Sequence, residues 1–287
     1  MDPAKLIKAK ANEKSIVFDE VEYGALSLAA VRKIASICSL SLREVEVNAL
    51  EMGVIPQRYE RSLGTVGGPA GQLQLLRSRV AIVGLGGLGG LVAELLARMG
   101  VGTLVLIDGD RFSESNLNRQ IISTEAVLGV QKAFAAATRL KEINAAVEHV
   151  VFAQFATPHN LEGMLSGSDV AVDCLDNLST RFMLQDGCRA LNIPFVHGAI
   201  AQFYGQVAVI YPGDPGLTAI YGPRDNDKEH GIEKELGNPA TTPALVASLQ
   251  AQETLKILLK IEKSFRNRLL FIDTIQGCFE TIQLEGE

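Results

Sequence analysis

An α/β fold is predicted for this chain: a doubly wound, mainly parallel sheet with an antiparallel C-terminal part and a short N-terminal helical extension. Three observations predict it. From residue 78 onward, short apolar runs alternate with segments of helical periodicity. A glycine-rich turn joins the first of these runs to a helix. Near the C-terminus the pattern changes to apolar–polar alternation, which is typical of antiparallel strands.

The parallel part consists of strands that alternate with helices. Strands are predicted at 79–83, 103–107, 148–152 and 170–173 and from residue 194, and helices at 88–99, 130–144, 161–165 and 180–191. This alternation favours a parallel sheet that is covered on both faces. Right-handed crossovers then give a doubly wound, Rossmann-like arrangement.

After residue 198 the pattern predicts a different structure. The predicted elements are an antiparallel strand at 204–211, an amphipathic helix at 243–260 and a closing β-hairpin of 269–272 and 279–284. Residues 212–243 are rich in glycine, proline, aspartate and asparagine and show little periodicity. Long stretches of this kind are usually functional, so a mobile functional loop is expected there.

Residues 1–57 form the predicted N-terminal helical extension. Residues 27–38 have helical apolar spacing, and Ser41 with Glu44 makes a capping box that opens a second helix. Residues 5–14 are polar and are expected to be frayed. The two helices could form a helix-turn-helix, but they carry as many acidic as basic residues, which is a poor footprint for DNA. A docking or dimer-contact role is therefore favoured.

The composition excludes several classes of protein. Hydrophobic residues make up 47% and charged residues 21% of the 287, which excludes wholesale disorder. The net charge of −6 argues against binding to nucleic acid or to an anionic membrane as the main role. No apolar run approaches the roughly 18 residues of a spanning helix. Residues 1–10 contain no apolar signal region, so a cytoplasmic protein is expected.

The most informative motif is a GxGxxG pattern formed by Gly84, Gly86 and Gly89, with Gly87 between them. It follows a predicted strand and opens a helix, and Asp108 ends the next strand. Such glycines let backbone N–H groups approach phosphate, and a carboxylate at that strand end accepts hydrogen bonds from ribose hydroxyls. The motif predicts nucleotide binding but does not distinguish NAD from ATP.

The segment that follows favours a triphosphate. A polar loop carries amide, hydroxyl and charged groups, and a lysine follows at the start of the next predicted helix; the candidate residues are Asp110, Ser115, Asn116, Arg119, Gln120 and Lys132. Two cations and an amide beside a nucleotide suit a triphosphate, whose transferring or leaving phosphate must be neutralised. The alternatives are an exposed loop and a solvated helical lysine.

A further strand ends in Asp173, followed by Cys174, Asp176 and Asn177. Ligands bind at this edge of an open α/β sheet, and Mg²⁺ takes one or two carboxylates together with phosphate oxygens. Asp and Asn serve equally well as N-caps of the following helix. From the residues alone, the magnesium site and the helix cap remain equally favoured.

Taken together, these motifs and their order resemble the ThiF/MoeB/HesA family, prokaryotic relatives of ubiquitin-activating enzymes. The resemblance runs from Arg58 to Leu284 and includes Arg58–Arg61, the glycine motif, the 108–120 loop, Gly129–Lys132 and Asp173–Asn177. It implies a homodimeric adenylyltransferase that binds Mg·ATP. The implied substrate is the C-terminal glycine of a small β-grasp sulfur carrier ending in Gly-Gly.

The resemblance also implies roles for individual residues. Gly84, Gly86, Gly87 and Gly89 lie along the nucleotide in this reading, with Asp108 on the ribose; Asp110, Ser115, Gln120 and Asn177 complete the binding site. Asn116, Arg119 and Lys132 resemble the groups around the phosphates. Asp176 resembles the acid that binds Mg²⁺. Arg61 resembles an arginine that reaches the ATP of the neighbouring subunit.

The chain also departs from its relatives. Many carry two CxxC pairs for a structural zinc, and this chain has neither, so no zinc is expected. Residues 212–243 contain no cysteine, and Cys174 and Cys188 are expected to be packing residues. The reaction is therefore expected to stop at the acyl-adenylate, with a separate persulfide donor. The expected division is 1–57, a nucleotide-binding part at 58–198 and a carrier-binding part at 199–287.

Other functions remain open on the sequence. A tRNA-modifying relative (threonylcarbamoyladenosine dehydratase-like) would activate a carboxylate on a modified adenosine, although the net charge gives this little support. An NAD-dependent oxidoreductase would use the same glycine-rich turn. A non-catalytic scaffold would keep the fold alone, but the retained Arg61, Arg119, Lys132 and Asp176 argue against it.

Overall fold

An eight-stranded sheet forms the centre of the molecule. The computed structural model describes residues 2–11, 15–224 and 237–284. The strands are β4 (Arg79–Val83), β5 (Thr103–Ile107), β6 (Glu148–Phe152), β7 (Val170–Asp173), β8 (Phe195–Ala201), β9 (Tyr204–Ile210), β10 (Arg268–Asp273) and β11 (Cys278–Gln283). Their order in the sheet is β11-β10-β9-β8-β7-β4-β5-β6. β6, β5, β4, β7 and β8 are parallel, whereas β9, β10 and β11 are antiparallel to their neighbours.

Helices cover both faces of this sheet, as predicted. The helices of this part are α4 (Leu63–Val66), α5 (Gly68–Arg77), α6 (Gly89–Arg98), α7 (Lys132–Ile143), α8 (Leu161–Leu165), α9 (Leu178–Ala190), α10 (Thr218–Tyr221) and α11 (Thr241–Leu258). One apolar core joins α5, α6, α7 and α11 to one face of the sheet, and a second joins α8 and α9 to the other. Strands between two such layers are apolar throughout, and all five residues of β5 are buried.

The strand order reverses between β4 and β7. The chain runs from β4 outward through β5 to β6, and then returns to place β7 on the other side of β4. The loops after β4 and β7 therefore diverge and leave a crevice at the carboxyl ends of the strands. In open α/β sheets this is the position where ligands bind.

The antiparallel part agrees with the prediction from alternation. β9 pairs with β8 and with β10, and β10 with β11 forms the closing hairpin. The sheet is continuous through residue 198, because β8 spans it. The loop predicted at 212–243 contains the short α10, and its last residues already belong to α11. Residues 225–236, and with them the prediction of mobility there, lie outside the described residues.

The two helices predicted for the N-terminal extension are present, but the extension also contains a small sheet and a third helix that were not predicted. It contains α1 (Pro3–Ala11), α2 (Leu28–Cys38), α3 (Leu42–Glu51) and a three-stranded sheet of β1 (Ser15–Phe18), β2 (Val21–Leu26) and β3 (Ile55–Pro56). The expected fraying was wrong for residues 5–11, because α1 buries Ile7 completely in the core of this module. The capping box of Ser41 and Glu44 is confirmed.

Two polar side chains of this N-terminal module, Glu46 and Arg43, connect it to the rest of the protein. Buried Glu46 of α3 accepts a hydrogen bond from the hydroxyl of Tyr59 at 2.9 Å, and Asn144 donates to the same hydroxyl at 3.0 Å. Arg43 donates hydrogen bonds to Thr103 and to Glu148 at 3.0 and 2.7 Å.

Within the described ranges, no helix is both long and apolar enough to cross a lipid bilayer.

Candidate functional site: a cleft at the carboxyl ends of β4 and β7

A cleft of about 860 Å³ opens where the strand order reverses. Its walls are the glycine-rich turn after β4, the loop after β5, the turn after β7 and residues 154–156 after β6. Residues 237 and 238 form part of its lining as well. The sequence motifs that are far apart along the chain therefore meet in one place, because parallel strands end at the same edge of a sheet.

Two glycines of the motif are required by the packing of the protein itself. Gly84 has a φ of +90°, and a Cβ on it would lie 2.5 Å from the carbonyl oxygen of Cys174. A Cβ on Gly89 would lie 1.8 Å from the carbonyl oxygen of Gly84. These two positions allow β4 to turn sharply into α6 while β7 stays close beside the turn.

Gly86 and Gly87 differ from this pair because the protein leaves room for a side chain. Both line the cleft, and a Cβ would meet its nearest neighbours at 3.5 Å from the Gln120 amide and 3.4 Å from Pro243. Those are ordinary van der Waals distances. Among the described residues nothing requires glycine at these two positions, and both lie where a ligand in the cleft could approach the backbone.

Asp108 lies at the end of β5 and holds the loop around it. One carboxylate oxygen accepts from the Leu85 amide at 2.7 Å, and the other accepts from the Asp110 amide at 2.7 Å. Burial raises the pKa of Asp108 above its ordinary value, against the opposing effects of Lys132 and these two amides. The carboxylate faces the cleft, where ribose hydroxyls would provide further donors.

Lys132 is a buried cation of the site. It is only 6% exposed at the first position of α7, and its Nζ lies 3.1 Å from the Asp110 carboxylate. The solvated-lysine alternative is thus wrong. Arg119 also lines the cleft, where its guanidinium donates to the Ser115 carbonyl and to the Asn118 side chain, both at 2.9 Å. Arg181 lines the same cleft, so three cations face it, which suits a polyanionic ligand.

Gln120 contributes a buried acceptor without a partner among the described groups. It is 6% exposed, it lines the cleft, and its Oε1 makes no hydrogen bond there. A buried polar atom that stays unsatisfied costs free energy, and a ligand group is one way to satisfy it. The donor set and this orphaned acceptor both fit a nucleotide.

The two carboxylates at the end of β7 and in the turn after it, Asp173 and Asp176, have different surroundings. Asp176 is exposed and lines the cleft, where its carboxylate accepts a hydrogen bond from the side-chain amide of Asn177 at 3.2 Å. Asn177 is the N-cap of α9 and accepts from the Thr180 amide at 2.9 Å. Asp173 is fully buried and pairs with His197 at 2.7 Å. One exposed carboxylate in the same cleft as Lys132 and Arg119 fits a Mg²⁺ ion that phosphate oxygens also bind.

Some predicted site residues lie elsewhere in this chain. Asn116 does not line the cleft; its side chain accepts from the Ser113 amide at 3.1 Å and caps a 3-10 helix, Glu114–Asn116. Gly89 packs against the Gly84 carbonyl of the glycine-rich turn and does not line the cleft. Arg61 is exposed on the 3-10 helix Gln57–Ser62 and does not line the cleft of its own chain. Their predicted roles therefore remain predictions.

The cleft also contains residues that sequence reasoning missed as site residues. These are Asn118, Gln154, Phe155, Thr180, Arg181 and Asn238. Phe155 is 63% exposed, and its ring lies against Gly109, where a Cβ would come within 2.7 Å of it. The available signal was positional: residues 154–156 directly follow the third parallel strand, at the ligand-binding edge of the sheet.

Cys174, which lines the cleft, and Cys188 are both buried thiols. Burial raises the pKa of the Cys174 thiol well above its ordinary value, and burial likewise raises the pKa of Cys188. Within the described part of the chain, no three His, Cys, Asp or Glu side chains lie together as a metal-binding group.

Solved structures share this architecture at low sequence identity. The E. coli MccB structure with MccA-N7isoASN superposes with a TM-score of 0.69 at 22% identity, covering 80% of this chain and 73% of that chain. PaaA gives a TM-score of 0.68 at 22% identity, covering 79% of this chain and 73% of that chain. These likenesses show the fold.

Relatives of known name share considerably more sequence. The SAMP-activating enzyme E1 of Haloferax volcanii is 37% identical over 215 residues, covering 75% of this chain and 80% of that protein. The sulfur carrier protein adenylyltransferase of Thermus thermophilus is 37% identical over 223 residues, covering 75% of this chain and 82% of that protein.

The pig adenylyltransferase and sulfurtransferase MOCS3 is 38% identical over 230 residues, which cover 79% of this chain. The matched region spans only 50% of the length of that protein. A family model described as the ThiF family matches residues 59–287. On this match and on the arrangement of the cleft, the chain belongs to the ThiF family.

Proposed function

We propose that this chain catalyses the ATP-dependent adenylation of a small β-grasp sulfur carrier at its C-terminal glycine carboxylate, with release of pyrophosphate. One observation carries the proposal: Lys132, Arg119 and Asp176 face the same cleft as a glycine-rich turn that has room for a ligand. The names of the relatives, which describe adenylyltransferases of sulfur carriers and an E1 enzyme, support this choice of reaction.

Each group in the cleft has a role in binding ATP. Gly86 and Gly87 let the backbone approach the nucleotide, and Asp108 accepts hydrogen bonds from the ribose. Lys132 and Arg119 neutralise the phosphates. Lys132 pairs with Asp110 at 3.1 Å, and a phosphate of the nucleotide would compete with this carboxylate for the lysine.

The chemical step asks little covalent work of the protein. An oxygen of the glycine carboxylate attacks the α-phosphorus of ATP. The bond between this phosphorus and the oxygen that bridges the α- and β-phosphates then breaks, and pyrophosphate leaves with the electron pair. The carboxylate is already ionised at neutral pH, so no general base is needed. Lys132 and Arg119 reduce the repulsion between the two anions and stabilise the charge that moves to the leaving group.

Asp176 is the residue proposed to hold Mg²⁺, with the phosphate oxygens of ATP as its other ligands. When bound, the ion neutralises phosphate charge and fixes the geometry of the leaving pyrophosphate. Asn177 and the start of α9 hold the Asp176 turn beside the cleft.

Two further proposals concern partners. Arg61 acts in the cleft of a second copy in a homodimer, and a separate persulfide donor supplies the sulfur.

ATP–pyrophosphate exchange tests this function. The purified protein is assayed with each Gly-Gly-ending β-grasp protein of the same genome, with the same carriers lacking the last glycine, and with an Asp176→Asn variant. Exchange that requires one intact carrier and disappears in the variant is expected. Tight ATP binding without exchange by any carrier would contradict the proposal and favour a tRNA or a small carboxylate. NAD binding without ATP binding would favour an oxidoreductase.

A further inference from the structure

A buried chain of hydrogen bonds connects the Asp176 turn to α10, and the roles described above leave it unused. Asp173 accepts from Nδ1 of His197 at 2.7 Å, and Nε2 of His197 lies 2.9 Å from the hydroxyl of Tyr221. Gln206 donates to the same hydroxyl. This series of hydrogen bonds therefore runs from β7 through β8 to the last residue of α10.

One assignment of donors and acceptors is consistent with all of these hydrogen bonds. Burial lowers the pKa of the fully buried His197 below its ordinary value, so the ring is neutral at neutral pH. The neutral ring donates through Nδ1 to the Asp173 carboxylate and accepts at Nε2 from the Tyr221 hydroxyl. The tyrosine oxygen in turn accepts from Gln206. Every member then has a suitable partner, which makes the network stiff.

The same carboxylate holds the backbone next to Asp176. The second oxygen of Asp173 accepts from the Leu175 amide at 3.0 Å. Arg181, which is only 4% exposed, donates to the Leu175 carbonyl and to the Gly198 carbonyl, and it lies 3.6 Å from Asp173. The residue directly before Asp176 is therefore held at both its N–H and its C=O groups.

The other end of the network fixes α10. The Leu217 amide at its start donates to buried Gln185 of α9 at 2.6 Å, and Tyr221 at its end is held by His197. This short helix has no fully buried residue of its own. Ile220 and Tyr221 pack against the apolar core, and Leu217 directly before the helix is fully buried, so polar contacts and apolar packing together fix α10. Four residues could not form a stable helix alone.

We propose that His197 is a positioning residue that couples α10 to the turn carrying Asp176. Through Asp173 and Arg181, the place of the Asp176 carboxylate in the cleft depends on the bond between His197 and Tyr221. The inference rests on the proposed function, since it assigns Asp176 to the metal and phosphates of ATP. It adds the statement that α10, outside the cleft, sets the geometry of that carboxylate.

The test breaks the His197–Tyr221 bond from each side. Tyr221→Phe removes the hydroxyl and keeps the ring, while His197→Asn keeps a donor for Asp173 and loses the acceptor for Tyr221. Thr218→Val is the matched control, because it removes a hydrogen bond of the same helix, to the Pro215 carbonyl at 3.3 Å, that has no link to Asp173. Thermal unfolding shows that each variant is folded.

Two readouts are measured: Mn²⁺ binding to the ATP-loaded protein, by electron paramagnetic resonance, and the Mg²⁺ dependence of carrier-driven exchange. Tyr221→Phe and His197→Asn are each expected to weaken Mn²⁺ binding by about fivefold, the effect of one ordinary hydrogen bond. Both should raise the Mg²⁺ concentration for half-maximal exchange while the KM for ATP at saturating Mg²⁺ stays unchanged. The double variant should be no weaker than either single variant, because both remove one bond.

Unchanged Mn²⁺ binding in Tyr221→Phe and His197→Asn, or an equal loss in Thr218→Val, would overturn the inference. A failure of the proposed function is distinguishable, because it appears as absent exchange in the unmodified protein while Mn²⁺ binding still reports the coupling. If the unmodified protein bound no Mn²⁺ with ATP, both proposals would fall.

Discussion

At the scale of single residues, the glycine motif combines two physical requirements that the sequence pattern presents as one. Gly84 and Gly89 are fixed by the close approach of the protein's own backbone, whereas Gly86 and Gly87 have room and face the cleft. The motif could be found from sequence because its spacing is regular. Which glycines serve the fold and which serve the ligand became visible only from interatomic distances.

The first prediction concerns this division. Gly86→Ala should leave the protein folded and weaken ATP binding about tenfold or more, because the new methyl group occupies space beside the phosphates. Gly89→Ala should instead prevent stable folding, since its Cβ would overlap the Gly84 carbonyl. Gly163→Ala is the control, because a Cβ there meets open space. Isothermal titration with ATP and thermal unfolding measure the two effects; equal ATP affinity in Gly86→Ala would refute the assignment.

The second prediction concerns Lys132. Lys132→Met keeps the length of the side chain and removes the charge, so carrier-dependent exchange should fall about a hundredfold, the usual loss for one transition-state donor. Lys141→Met, on the exposed side of the same helix α7, should have little effect. Steady-state rates at saturating ATP provide the comparison. A Lys132→Met variant that retained normal rates would show that the lysine plays no part in neutralising the phosphates.

At the scale of secondary-structure elements, the sequence predicted most strands of the large sheet and most helices that cover it. In the N-terminal module it did not predict the small sheet or α1. The capping box of Ser41 and Glu44 is a local signal, and it was readable. The turn between β1 and β2 places Asp19 and Glu20 at φ of +49° and +62°, a conformation usually signalled by asparagine or glycine. α1 is stabilised by burial of Ile7, which depends on tertiary contacts rather than on local pattern.

The third prediction concerns Glu46, which fastens this module to the large sheet. Burial raises the pKa of Glu46 above its ordinary value of 4.5, against the opposing effects of Arg58 and Tyr59. Its contribution to the free energy of unfolding is therefore complete below pH 4.5 and is lost as the pH rises through the higher folded-state pKa. Glu46→Gln removes this titration.

The measurement is chemical denaturation of the unmodified protein and of Glu46→Gln between about pH 4.5 and pH 8, a range that starts at the ordinary glutamate pKa. The free energy of unfolding of the unmodified protein should decrease relative to the variant as the pH rises. A difference that grew in favour of the unmodified protein with rising pH would mean that the pKa of Glu46 is lowered by its partners.

At the scale of the whole molecule, the fold class and the carboxyl-edge site could be predicted because strand–helix alternation dictates both. The sheet brings Gly86, Asp108 and Asp176, from three separate loops, to one cleft. Burial of Lys132 and the Asp173–His197–Tyr221 network could not be predicted, because they depend on how distant elements pack. Arg61, exposed and outside the cleft of its own chain, raises the question of a second copy.

The fourth prediction tests whether Arg61 acts in a partner's cleft. Arg61→Ala and Asp176→Asn should each be inactive alone. When the two variants are co-expressed, a mixed dimer combines intact Arg61 of one copy with intact Asp176 of the other, so one of its two clefts should recover activity. Exchange rates of the isolated mixed dimer measure this. No recovery in a verified mixed dimer would show that Arg61 does not act across subunits.

The central claim is that this chain transfers AMP to the terminal carboxylate of a sulfur carrier. The most direct measurement is the intact mass of a purified Gly-Gly-ending carrier after incubation with the protein and Mg·ATP. We expect a carrier heavier by one AMP, no such product when the last glycine is removed, and none with Asp176→Asn. An unmodified carrier despite bound ATP, or AMP on a carrier without its terminal glycine, would contradict it.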